Sequence, residues 1–81
     1  MASPPFFSIP TGRMVAAARV LAGLTQEALA TKALLDVTTV ARMEAVRDQP
    51  IRSRPQNIEK LLRALYEAGV ELHPDGVKLR R

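Results

Sequence analysis

The chain has 81 residues, enough for one small domain and too few for two. Apolar residues make up 47% of it and aromatics only 4%, with no Trp, so the core must come from Leu, Val, Ala, Ile and Met, which favours packed helices over a sheet. The absence of Cys excludes disulfides and thiolate metal sites, and twelve Lys and Arg against eight Asp and Glu give a net charge of +4 that favours a polyanionic partner.

Nine of the twelve cations are Arg, the better residue for phosphate and guanine. No stretch reaches the roughly 18 apolar residues of a membrane span. Met1 to Phe7 lacks the basic start and apolar run of a signal peptide, so a cytoplasmic location is expected.

Residues 1–10 carry three prolines and little periodicity, and read as a flexible arm, with docking of Phe6 and Phe7 on the core or on a partner as the alternative. Thr11 can cap a first helix running to Ala22, with Met14, Ala17, Ala18, Leu21 and Ala22 at helical spacing and Gly23 as the stop. Thr25 opens a second helix whose buried face is Leu29, Ala30 and Ala33. After Leu34-Leu35, Asp36 is a good N-cap for a third helix, Val37 to Ala45, with Val40 and Met43 inward and Val37, Thr38, Thr39 and Arg42 outward.

Arg47 to Pro55 is a loop rich in Arg and Pro, in which Ser53-x-x-Gln56 can form a capping box. The next helix has Ile58, Leu61, Leu62 and Leu65 on one stripe and ends at Gly69. The period then changes. Val70-Glu71-Leu72 and Val77-Lys78-Leu79 alternate around His73-Pro74-Asp75-Gly76, which reads as a β-hairpin with Asp-Gly at the turn. The expected fold is an all-α compact bundle of four to five short helices with a small C-terminal β-hairpin. The expected organisation is an arm at 1–10, a helical domain at 11–68 and a hairpin at 69–81.

The central block is Leu24-Thr25-Gln26-Glu27-Ala28-Leu29-Ala30, followed by Ala33, Val40, Arg42, Met43 and Glu44. Two short helices separated by a tight turn, the second with polar outward positions, make a helix-turn-helix unit. Over residues 13–65 the sequence resembles the lambda-repressor/Cro-like (XRE) family of DNA-binding regulators, through the pattern L-T-Q-x-x-L-A and the aliphatic-Glu pair that ends the third helix. Two positions depart from that pattern. Leu34 and Val46 stand where the family usually has Gly, so Leu34 needs either a strained backbone or a different turn.

The resemblance implies that the third helix enters the major groove of double-stranded DNA, with Val37, Thr38 and Arg42 at base-reading positions. Arg42 suits a bidentate bond to guanine, and Val37 suits a thymine methyl or, equally, minor core. Gln26, Thr39, Arg47, Arg52 and Arg54 are the implied phosphate contacts, with Arg13 a weaker one. Arg19 and Glu44 match a partly buried ion pair that joins the first and third helices, a structural role.

One module of this size reads few base pairs, so a homodimer on a palindromic operator is expected, with Leu65, Val70, Leu72, Val77 and Leu79 as the dimer contact. Lys78, Arg80 and Arg81 are expected only to solvate the end. His73 has no second ligand or nucleophile spaced to join it, and there is no Gly-rich phosphate loop, so neither an enzyme nor a cofactor is expected. The function expected is a transcriptional regulator, a repressor or autoregulator. An antitoxin that binds a toxin and represses its own operon is one alternative, and an interaction module without DNA binding is the other.

Overall fold

Each helix start is set by a residue that cannot or need not continue the helix upstream. In a computed structural model that describes residues 9–80, Thr11 caps α1 (Gly12–Leu21), its Oγ1 accepting the Met14 N–H at 3.1 Å. Thr25 does the same for α2 (Gln26–Ala33), accepting from Ala28 N–H at 3.0 Å. Asp36 stands at the N-cap of α3 (Val37–Ala45), but its side chain makes no cap bond, and its carbonyl instead accepts from Thr39 and Val40. α4 (Pro55–Glu67) begins with Pro at its first position. The expected Ser53–Gln56 capping box does not form. Pro55 pushes the residue before it into an extended conformation, so Arg54, and not Ser53, becomes the N-cap.

α2 ends on Leu34, in the left-handed region at φ 59° and ψ 44°. The Leu35 N–H then bonds back to the Ala30 carbonyl at 2.9 Å, the six-to-one closure that satisfies an orphan carbonyl of the last turn. After α4 the chain turns at Gly69, φ 98°, into β1 (Val70–His73), which pairs antiparallel with β2 (Gly76–Leu79) in the register Val70–Leu79 to His73–Gly76. The two residues of the turn are Pro74 and Asp75, so the turn lies one residue earlier than an Asp-Gly centre. Proline at the first of them fixes φ negative there, which is incompatible with the type I′ geometry that Asp-Gly favours.

One core serves all the elements. Leu29, Val40, Met43, Leu61, Leu65 and Val15 are buried with Val70 and Leu72 of the hairpin in the same cluster, and the hairpin lies on α1 and α4. α2 and α3 are packed on each other, α3 on α1 and α2 on α4. The α2 and α3 faces agree with the sequence reading. The α1 face agrees in part: Ala18 is buried and Met14 and Ala22 pack against the core, but Val15 joins them, whereas Ala17 and Leu21 are exposed. α1 is apolar nearly all round, so periodicity alone could not fix its rotation. Gly12 and Arg19 fix it. A Cβ on Gly12 would lie 2.5 Å from the Met43 carbonyl oxygen and 2.7 Å from that of Glu44, so only glycine lets α1 start this close to the end of α3.

The proposed dimer contact is corrected in the same way. Leu65, Val70 and Leu72 are at most 2% exposed inside this chain's own core, so their side chains are not available to a partner. Val77 is half-buried against that core, and Leu79 alone of the five is exposed. Arg80 does more than solvate the tail. It stacks over the Tyr66 ring at 4.4 Å and donates to the Tyr66 carbonyl at 2.9 Å. Phe6, Phe7 and most of the 1–10 arm, and Arg81, lie outside the described residues. No helix among the described residues is long and apolar enough to cross a membrane.

Candidate nucleic-acid interface

The side chains singled out in the sequence divide into a part-buried tie and an exposed face. The tie is centred on Glu44. Arg19 Nε donates to one Glu44 carboxylate oxygen at 2.7 Å and Arg19 Nη2 to the other at 3.1 Å, with the side chains only 18% and 8% exposed. Arg19 Nη1 reaches the Leu24 carbonyl at 3.0 Å, and Gln26 Nε2 donates to Glu44 Oε1 at 3.0 Å. One carboxylate therefore holds α1, the α1–α2 turn, the first residue of α2 and the last turn of α3. Its hydrogen bonds to Arg19 raise the guanidinium pKa further, against the opposing effect of burial.

The sequence reading had the Arg19–Glu44 pair but not its third and fourth members. No spacing rule announces Gln26 as a partner of Glu44, because they are 18 residues apart on different helices. The consequence for Gln26 is specific. One of its amide hydrogens is committed to Glu44, which fixes the side chain at the α2 N-terminus. There the first-turn N–H groups of Gln26 and Glu27 have no intrahelical carbonyl to bond.

The exposed face belongs to α3. Val37, Thr38 and Arg42 are all exposed, Thr39 and Ala41 are half-buried, and Ala45 is exposed at the end. Among the described residues Arg42 makes no side-chain hydrogen bond and no ion pair. Thr38 lies one turn before Arg42, so the two share a stripe. Glu44 is the sole acid within α3 and is turned to Arg19, while the exposed Asp36 stands at the helix N-cap.

The loop after α3 is pinned along the N-terminal segment. Arg13 N–H bonds the Arg47 carbonyl at 2.8 Å, Gly12 N–H the Gln49 carbonyl, and Ile51 N–H the Pro10 carbonyl, around a bridge between Thr11 and Pro50. Val46 keeps a helical conformation, and the left-handed residue is Arg47, at φ 54°. Arg47, Arg52 and Arg54 are exposed and make no side-chain ion pair among the described residues. Arg13 is different. It pairs with Asp48 at 2.8 Å, so its positive charge is partly answered within the chain. The pair's hydrogen bond and mutual attraction raise the Arg13 pKa and hold Asp48 below the ordinary carboxylate value.

No group of three or more metal-ligating side chains is found among the described residues. Clefts lie outside this face among the described residues. One lies between Ile9, Met14 and the hairpin turn, and another between Leu34 and α4. Compared with known protein families and with curated proteins, the chain matches none.

Proposed function

We propose that the chain is a sequence-specific double-stranded DNA-binding regulator of transcription. On this reading α2, the Leu34–Asp36 turn and α3 act as a helix-turn-helix with α3 in the major groove. The observation that carries it is the α3 face: an unpaired, exposed Arg42 in line with Thr38, with the one acid within the helix, Glu44, turned away to Arg19. A helix can enter the major groove only if nothing on its outer face repels phosphate or holds the backbone away.

The exposed Arg47, Arg52 and Arg54 on the pinned loop, and the α2 N-terminus with Gln26 held in place, supply phosphate contacts that fix register. The same reading has the protein act as a homodimer on a two-fold site, because a strip of one short helix reads too few base pairs for a specific address.

Selection of bound duplexes from a random pool by the full chain tests the proposal. A recurrent motif with two-fold symmetry and half-sites about 34–36 Å apart is the expected result. Recovery of the input distribution, with binding that depends only on salt, would refute sequence recognition.

A further inference from the structure

The hairpin leaves the outer edge of β2 without a neighbour among the described residues. Arg80 N–H bonds the Gly69 carbonyl at 2.6 Å, and in an antiparallel ladder the bonded pairs alternate from there. Glu71 with Lys78 and His73 with Gly76 are therefore the bonded pairs, and Val77 and Leu79 turn their N–H and C=O groups away from β1. Among the described residues no side chain and no main-chain group outside the hairpin bonds them.

The two faces beside this edge differ. Val77 and Leu79 share the core-facing side with Val70 and Leu72, yet Leu79 is exposed because β2 ends the sheet. α1 packs against β2, and its Met14 lines the cleft beside Leu72 and Pro74. Ala17 and Leu21 follow Met14 at helical spacing and are exposed. The other side of β2 carries Lys78, which is exposed and makes no ion pair among the described residues. Its cross-strand neighbour Glu71 is turned to His73, with His73 Nε2 2.9 Å from Glu71 Oε1.

We propose that this edge takes an added strand from a partner protein, an extended segment of alternating apolar and acidic residues. Its main chain continues the ladder at Val77 and Leu79, its apolar side chains lie along Leu79, Leu21 and Ala17, and a carboxylate sits beside Lys78. Charge decides the occupant. A second copy of β2, antiparallel and paired Val77 to Leu79, sets Lys78 against Lys78, and like charges directly opposite destabilise a pair. A lysine in mid-edge guards against indiscriminate pairing, and an acid is the side chain it favours opposite.

The test uses the full chain and two short capped peptides, one of alternating valine and glutamate and one of alternating valine and lysine. The glutamate peptide should shift the Val77 and Leu79 amide resonances and slow their hydrogen exchange. At low salt it should bind about fivefold more tightly than the lysine peptide, the gap between one opposite-charge and one like-charge pair, and the gap should close in high salt. N-methylation of the peptide amides should abolish binding. Lys78→Glu, at an exposed position, should reverse the order of the two peptides; the first comparison uses the unaltered chain and does not depend on that variant folding. Absence of any shift at Val77 and Leu79, or equal binding of the two peptides at low salt, would overturn the proposal. So would sedimentation of the chain alone as a dimer whose Val77 and Leu79 amides are already protected, which would assign the edge to a second copy. No DNA enters the experiment, so its outcome leaves the reading of α3 untouched.

Discussion

Leu34 is held at φ 59° with its side chain 79% exposed, so the backbone strain there is not offset by burial. A side chain in the left-handed region costs roughly 1–2 kcal/mol, which glycine avoids while losing more entropy on folding. Leu34→Gly should therefore stabilise the fold by about 1 kcal/mol, a rise of about 4–8 °C in melting temperature for a chain of this size. Leu34→Ala keeps the Cβ and should give no such rise, so differential scanning calorimetry of the two variants separates backbone relief from side-chain loss. Both outcomes bear on a position where the sequence had left open strain or a different turn, and strain is what the structure adopts. At Asp48 the prediction concerns pH. Its folded pKa is depressed below 3.8 by Arg13, so the pair's contribution is present above that value and is lost as pH falls through the folded one. An NMR titration of the Asp48 carboxyl should give a midpoint below 3.8, and Arg13→Ala should return it upward. Because both side chains are well exposed, 65% and 77%, the effect on overall stability should be slight and should fade with salt.

At the scale of elements the main tie is Glu44, which draws α1, α2 and α3 to one carboxylate. Removing it leaves the part-buried Arg19 with a single carbonyl partner, so Glu44→Ala should cost about 3 kcal/mol in urea unfolding, the low end for a buried pair. Gln26→Ala removes one neutral-to-charged hydrogen bond at the edge of that network and should cost about 1.5–3 kcal/mol at most. Equal, small losses at both positions would mean that the tie contributes little. Element starts were legible where a Thr precedes a helical stripe, at Thr11 and Thr25, because a side-chain cap is a local event. The α3 face was legible because polar residues interrupt Val40 and Met43, and the α2 face because Leu29, its one large apolar residue, is flanked at helical spacing by Ala30 and Ala33. The α1 face was legible only in part, through Met14, Ala18 and Ala22, since alanine, valine and methionine surround the helix and the deciding contacts, Gly12 against α3 and Arg19 to Glu44, are long-range. At α4 the Ser53–Gln56 spacing suggests a start one residue early, because it does not carry the constraint by which Pro55 holds Arg54 extended as the N-cap.

At the scale of the whole molecule the hairpin is the instructive part. Its strands were visible from their alternation, but a hairpin that alternates needs an apolar surface, and the sequence does not say whose. The structure gives it α1 and α4 of the same chain, which buries Val70 and Leu72 and removes them from any partner surface. The candidate interface was more legible than the hairpin's packing. Val37, Thr38 and Arg42 were placed outward by the same register that placed Val40 and Met43 inward, and all three are exposed. What the register could not show is that Glu44 is neutralised from within and Arg13 from the side, leaving Arg42 as the unpaired cation of α3.

The most direct test is the affinity of the wild-type chain and Arg42→Ala for a selected duplex and for a scrambled one of the same composition, at 50 and 200 mM salt. The account predicts that Arg42→Ala loses about 1–3 kcal/mol on the selected duplex and far less on the scrambled one, while salt weakens both proteins on both duplexes. An equal loss on the two duplexes, or none on either, would contradict the claim that the α3 face reads sequence through Arg42.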